Sequence, residues 1–463
     1  MHSKSSRYIA YAGYWLRDHR KVILGIQWFI VLFYAALIII PCFYPVPDND
    51  ARILNNLTVF AQFCFWGIWW PFVLLSMIFL GRFWCGVMCP EGALTEWASN
   101  NGLGRPIPKW MRWGGWPFTA FALTTIYGQL VSVYQYPWAV LLVLGGSTVA
   151  AIIVGFLYAK NKRAWCNYLC PVNGVFALLA KLAPVYYKVD KVAWDENRQY
   201  EKANLIKVAQ VNCAPLQPLR SMQGSSGCHM CGRCSGHHNA IDLSFRSPMD
   251  EVVRLGASEA TFWQMALILY GLLGIAIGAF HWTMSPLFIQ YKLTLAEFFI
   301  NHEIWWILDN NAPWFVLTHY PENNDVFSWL DGLCILTYIL ATAAVMGTAL
   351  LACLTAATAI AGHVSRQRIY HLAQAFIPIA GAGVFLGLSA TTLSLIKHEG
   401  INTWWANDVR LLLLVVSSCA VAWLGFRILQ LWTSGWRLMV SFCAVLAALA
   451  VVNSAWGLMF WWW

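Results

Sequence analysis

Eight of the chain's cysteines are spaced for metal chemistry. Three of them, Cys228, Cys231 and Cys234, stand in the run CHMCGRC, a C-x2-C-x2-C loop that lets three thiolates converge on one face of a cube. That loop is the core of the bacterial run C-x2-C-x2-C-x3-C-P, which binds 4Fe-4S clusters. Zinc also takes four thiolates, but zinc sites commonly pair two C-x2-C knuckles, and a triple run is unusual for them. Four more cysteines come as two copies of C-x3-C-P: Cys85 and Cys89 in RFWCGVMCPEG, and Cys166 and Cys170 in RAWCNYLCPVNG. The eighth is Cys213.

The triple run departs from the cluster pattern where a fourth ligand is expected, because the fourth residue after Cys234 is His238, followed by Asn239. Cys213, the nearest unassigned cysteine, is the expected fourth ligand, with His238 as a substitute, since histidine ligates iron in some clusters. Each C-x3-C-P copy offers two thiolates, too few for a cube. The copies share the pattern Arg-x-Trp-Cys-x-x-(Met/Leu)-Cys-Pro, and each follows a pair of apolar spans, so the chain carries a duplicated hairpin. Hairpins packed with one polarity bring Cys85, Cys89, Cys166 and Cys170 around one cluster, each proline turning the chain away after its ligand. Eight thiolates then make two 4Fe-4S clusters. An exchange of ligands between the two sites, as in two-cluster proteins, uses the same eight residues. The other cysteines, Cys42, Cys64, Cys334, Cys353, Cys419 and Cys443, are single and lie in or beside apolar spans, where cysteine behaves as a small hydrophobe.

These motifs need a membrane to position them. The chain has 463 residues, 59% hydrophobic and 11% charged, with 28 tryptophans, too few charges to cover a soluble globule. A helix crossing roughly 30 Å of hydrocarbon takes about 20 apolar residues. Windows of that kind fall at 22–42, 59–80, 118–133, 139–159, 262–282, 333–359, 372–396, 411–431 and 438–460, the third being short and carrying Gln129. The expected fold is an all-α polytopic membrane protein of about nine transmembrane helices, with a small cytoplasmic iron-sulfur domain. The first span follows a basic lead of Lys4, Arg7, Arg17, Arg20 and Lys21 and lacks a small-x-small cleavage site, so it reads as a retained anchor.

By the positive-inside rule the N-terminus is cytoplasmic, and nine spans put the C-terminus in the periplasm. The loops agree: Arg82, Arg105, Lys109 and Arg112, then Lys160, Lys162 and Arg163, then Arg366 and Arg368, then Arg437 fall on the inner side. The long outer loop, 283–332, sets Lys292 against Glu297, Glu303, Asp309, Glu322, Asp325 and Asp331. Three domains follow: a membrane domain at 1–183 whose two hairpins end in C-x3-C-P, a cytoplasmic cluster domain at 184–260, and a five-helix membrane domain at 261–463 with the acidic loop. All eight candidate ligands lie on the reducing, cytoplasmic side, where disulfides do not persist. The net charge of +9 is spread over short loops, which fits membrane orientation and argues against nucleic acid.

Through RFWCGVMCP, RAWCNYLCP and CHMCGRC, the first 255 residues or so resemble the membrane-bound polyferredoxins typified by NapH, NosR and CcoG. The resemblance implies a ferredoxin-like cytoplasmic portion, and electron transfer between a quinol or cytoplasmic donor and a periplasmic redox partner in the bacterial inner membrane. It makes the chain an electron-transfer component, such as a quinol dehydrogenase subunit, rather than a stand-alone enzyme. One C-x2-C-x2-C run and five further spans set it apart from NapH. The C-terminal half, with GAFHWTMSP and THYPENNDVFSWLDG, looks more like the FtrD-type subunit of ferrous-iron uptake systems, which accompanies a permease and periplasmic copper or iron proteins.

Electrons leaving such clusters for the far face need a carrier, and a quinone is a candidate. Haem is not expected, because no two histidines lie deep in neighbouring spans. His281 and His398 close two spans on the outer side, and His302 and His319 sit in the acidic loop; these four are further candidates for metal, and the loop is a candidate to dock a basic periplasmic partner or collect cations, or is only the translocated loop that the charge rule requires. A rival reading, a permease subunit whose clusters gate transport, predicts ionisable residues lining the spans, and few are present. A zinc-stapled structural protein is the third.

Overall fold

The computed structural model describes residues 4–48, 50–205 and 207–463. Among the described residues, eight helices are long and apolar enough to cross a membrane: Arg20–Phe43, Leu57–Leu80, Pro137–Leu157, Phe262–His281, Trp329–Ile360, Arg366–His398, Ala406–Gln430 and Gly435–Trp462. They answer to eight of the nine expected spans. The ninth, expected at 118–133, is the helix Trp116–Leu130. At 1.5 Å per residue its 15 residues cover about 22 Å. Its end is polar and tied down locally: the buried Gln129 accepts the indole N–H of Trp282 at 2.9 Å, and Leu130 O accepts Thr318 N–H at 2.8 Å.

Two compact units divide the chain. One comprises Met1–Ala36, Phe72–Pro117 and Ser147–Glu259, and the other Leu37–Pro71, Phe118–Gly146 and Ala260–Trp463. All eight candidate ligand cysteines belong to the first.

In the first unit, strands Val185–Val189 and Ile241–Phe245 pair antiparallel, from Val185 opposite Phe245 to Val189 opposite Ile241. Asp190 caps the helix Lys191–Lys202 between them, accepting Val192 and Ala193 N–H at 3.0 and 3.1 Å. A core of Val185, Tyr187, Trp194, Met222, Ile241 and Leu243 also takes in Cys228 and Cys234, so the triple cysteine run is built into the hydrophobic interior of this small domain. The basic lead is itself a helix, Lys4–Asp18. It packs on this domain through Tyr14, whose hydroxyl donates to Asp242 at 2.7 Å, and Arg17, whose Nη1 donates to Ser235 O at 2.9 Å.

The second unit is a helical bundle. The helix Phe262–His281 is its most enclosed member, and a Cβ on Gly274 would stand 2.8 Å from Ala343 Cα, so glycine there permits close backbone approach to Trp329–Ile360. The segment expected as an acidic loop contains a helix, Pro286–Asn301. Ser285 caps it and Pro286 opens it, a start signal that the surrounding acidic residues overshadow. Lys292 on that helix pairs with Asp331.

Candidate iron-sulfur centre

The first motif changes backbone conformation at each ligand. Cys85 lies in a π-helical turn, Trp84–Met88, a local widening that recurs at functional sites. Cys89 is then extended, with φ −71° and ψ 121°, and caps the helix Pro90–Asn100, with Pro90 at its first position and Gly92 N–H donating to the Cys89 sulfur at 3.4 Å. A thiolate here meets the positive end of the helix dipole. Pro90 therefore does more than turn the chain: it starts a helix whose first N–H groups face the ligand. In the second copy Cys166 sits in the short helix Ala164–Tyr168, and Cys170 follows it, ahead of the helix Asn173–Ala180.

Each copy is held by side chains of the other. Arg163, from the second, donates Nη1 to Cys85 O. Arg82, from the first, donates Nη2 to Asn173 Oδ1 at 2.7 Å. Trp165 Nε1 donates to Glu91 Oε2 at 3.0 Å, and Ser147 Oγ donates to the other oxygen at 2.7 Å. These crossed ties bring Cys85, Cys89, Cys166 and Cys170 together. Burial, then the charges of Cys166 and Cys85, push the Cys89 thiol well above its ordinary value. Burial likewise raises Cys170, followed by Glu91, Cys166 and Cys89. Cys166 is pushed up to about 12 by burial, with Arg163 opposing and Cys85 adding.

A second quartet forms around the triple run. Cys213, Cys228, Cys231 and Cys234 line one cavity together with Tyr187, Met222, His229 and Arg233. Burial takes Cys228 to about 12, against a hydrogen bond from Met230 N–H, with Cys231 and Cys213 adding their charge. Cys234 is raised by burial and then by Cys228, Cys231 and Cys213. Cys213 is raised by burial, with the Gln217 backbone opposing and Cys231 adding. For Cys89, Cys166, Cys170, Cys213, Cys228 and Cys234, the cysteines that raise each thiol belong to its own quartet.

The donor chemistry fits iron-sulfur clusters. None of the eight thiols is in a disulfide, and each quartet gathers four soft donors in a low-dielectric site where thiolates without a cation would be unstable. Buried guanidinium N–H groups with no protein partner, Arg82 Nε, Arg163 Nη2 and Arg233 Nη1, supply the positive charge that a negative cluster needs. Among the described residues, no three His, Cys, Asp or Glu side chains converge closely enough to hold a single metal ion, a tighter arrangement than the corners of a four-iron cube require.

The histidine candidates lie elsewhere. His238 is buried, its ring centroid 4.5 Å from that of Trp194 and its Nε2 3.8 Å from Glu201, and it does not line the cysteine cavity. His281 is buried against Trp456 and Trp463. His302 is exposed, with Nδ1 2.8 Å from Phe298 O. His319 lies in a two-residue strand opposite Val326, and His398 is exposed at the end of its helix.

The 4Fe-4S binding domain family matches residues 63–110 and 141–185, one segment around each C-x3-C-P copy. The ferredoxin-type protein NapH of Haemophilus influenzae is 26% identical over 177 residues, 35% of this chain and 61% of the relative. The methylamine utilization ferredoxin-type protein MauN of Methylorubrum extorquens is 26% identical over 125 residues, 24% of this chain and 43% of the relative. The chain is similar to ferredoxin-type proteins, with a 4Fe-4S binding domain match around each C-x3-C-P copy. It covers less than two thirds of the length of either relative, and no solved structure matches it. The family match ends at residue 185, before the triple run and the C-terminal bundle. Spacing singled out the cysteines but missed Arg82, Arg163, Glu91 and Glu96. The arginines stood in the shared Arg-x-Trp-Cys pattern and were the available signal.

Proposed function

We propose that the chain is an inner-membrane electron carrier with two 4Fe-4S clusters, one on Cys85, Cys89, Cys166 and Cys170 and one on Cys213, Cys228, Cys231 and Cys234. The observation that supports this most is the gathering of eight unpaired thiols into two separate quartets of four. When bound, such clusters accept and release single electrons; the chain's residues hold them, exclude water and place buried positive charge beside them.

The two motifs follow Leu57–Leu80 and Pro137–Leu157 and meet in one quartet, so those spans run toward the same side of the membrane. The chain must return between them, and Trp116–Leu130 is the helix available to do so, a short crossing. The basic loops beside the motifs favour the cytoplasmic side. Electrons would then pass between a quinol or cytoplasmic donor and a periplasmic redox partner.

Proteoliposomes loaded with the anaerobically purified protein test this. A quinol in the bilayer, or a reduced carrier outside, is expected to bleach the visible cluster absorption, and an impermeant oxidant sealed inside to restore it. Clusters that neither donor reduces, or that the enclosed oxidant cannot reach, would contradict transmembrane electron transfer.

A further inference from the structure

Between the two quartets lies buried positive charge that ligand spacing does not explain. Arg163 is 1% exposed and Arg82 3%, one from each C-x3-C-P copy. Arg163 donates its backbone N–H to the carbonyl of Ala214, next to Cys213, at 2.8 Å. Its Nη1 holds Cys85 O and its Nε donates to Glu96 at 2.8 Å. Cys166 follows three residues later. Glu96 in turn pairs at 2.7 Å with Arg233, between Cys231 and Cys234. Arg82 reaches Asn173, three residues past Cys170, at 2.7 Å and Ser226 O, two residues before Cys228, at 3.0 Å. Each segment that carries a ligand of either quartet is thus tied to one of these arginines or to Glu96.

The charges reach both quartets as well. Burial works against the Arg163 cation, and Glu96, Cys166 and Cys231 outweigh it. Arg82 acts on Cys166 in one quartet and Cys228 in the other. The quartets touch at backbone level, because a Cβ on Gly86 would stand 1.9 Å from His229 O and 3.0 Å from Cys231 N.

We propose that Arg82 and Arg163 form a guanidinium bridge shared by the two clusters, setting both reduction potentials together. The proposal rests on the two-cluster reading above. Reduction adds an electron to a centre that is already negative, so a buried cation beside it favours the reduced form, and more strongly in a low-dielectric site than in water. A cation placed between two clusters acts on both. Arg82 and Arg163 are positioning residues: they ligate no iron, and they act through charge and through the segments they hold.

Redox titration of the full-length, anaerobically purified protein, followed by EPR, tests the bridge. Arg163→Gln is expected to shift both midpoint potentials downward. Glu96→Gln removes a negative charge at nearly constant shape and is expected to shift both upward. Arg163→Lys keeps the charge and is expected to hold both close to the parent values. Opposite signs for Arg163→Gln and Glu96→Gln separate an electrostatic role from a structural one, which would weaken the clusters in both variants. Iron is measured in parallel: a parent protein without about eight irons per chain would remove the two-cluster reading itself. Iron-replete variants whose potentials stay put, or move for one cluster alone, would overturn the bridge. If Arg163→Gln loses its clusters, Glu96→Gln decides, and an unshifted or downward-shifted pair overturns the proposal.

Discussion

Cys85→Ser and Cys166→Ser are each expected to remove the same cluster, lowering iron from about eight to about four per chain and abolishing one EPR signal while sparing the other. The two residues lie on different hairpins, yet Cys166 feels the charge of Cys85, and Cys89 feels both. A serine oxygen is a harder and far less acidic donor than a thiol, so three thiolates and a hydroxyl make a poor cube site. Cys228→Ser is expected to remove the complementary signal, since its thiolate neighbours are Cys231 and Cys213. Loss of different signals in Cys85→Ser and Cys166→Ser would refute the shared site.

Gly86→Ala is the second large effect. Gly86 does not have a positive φ, so its conformation does not call for glycine. What calls for it is contact: the nearest atoms to an added methyl are His229 O at 1.9 Å and Cys231 N at 3.0 Å, both backbone, so no flexible side chain can yield. Overpacking of this kind costs about 1–3 kcal/mol, and occasionally more, and a backbone partner puts it at the upper end. The strain falls on the loops carrying Cys85 and Cys231, so both EPR signals are expected to weaken and the melting temperature of the anaerobic protein to drop. Gly25→Ala, where nothing lies within 4 Å of the added carbon, is expected to leave both unchanged. Intact signals and an unchanged melting temperature in Gly86→Ala would show that the loops are not packed as described.

The candidate ligand cysteines stood out because ligand spacing is local: three thiols within seven residues, and pairs four apart beside proline, limit what the chain can bind there, while their partition between two sites stayed open. Most of the spans were legible because a 20-residue apolar run has few other uses. Trp116–Leu130 was placed but not measured, since apolar periodicity does not reveal where a polar end such as Gln129 finds its partner. Lys4–Asp18 and Pro286–Asn301 read as flank and loop because charge bias dominates both segments. Arg163 to Cys85 O spans 78 residues and Arg233 to Glu96 spans 137. No local pattern reports such pairs; they exist only once the hairpins meet.

Iron and acid-labile sulfide per chain, measured on the anaerobically purified protein together with EPR of its dithionite-reduced form, test the central claim most directly. Two quartets of thiolates predict about eight irons and eight sulfides with two cubane signals. About four irons with one signal, or zinc in place of iron, would contradict it.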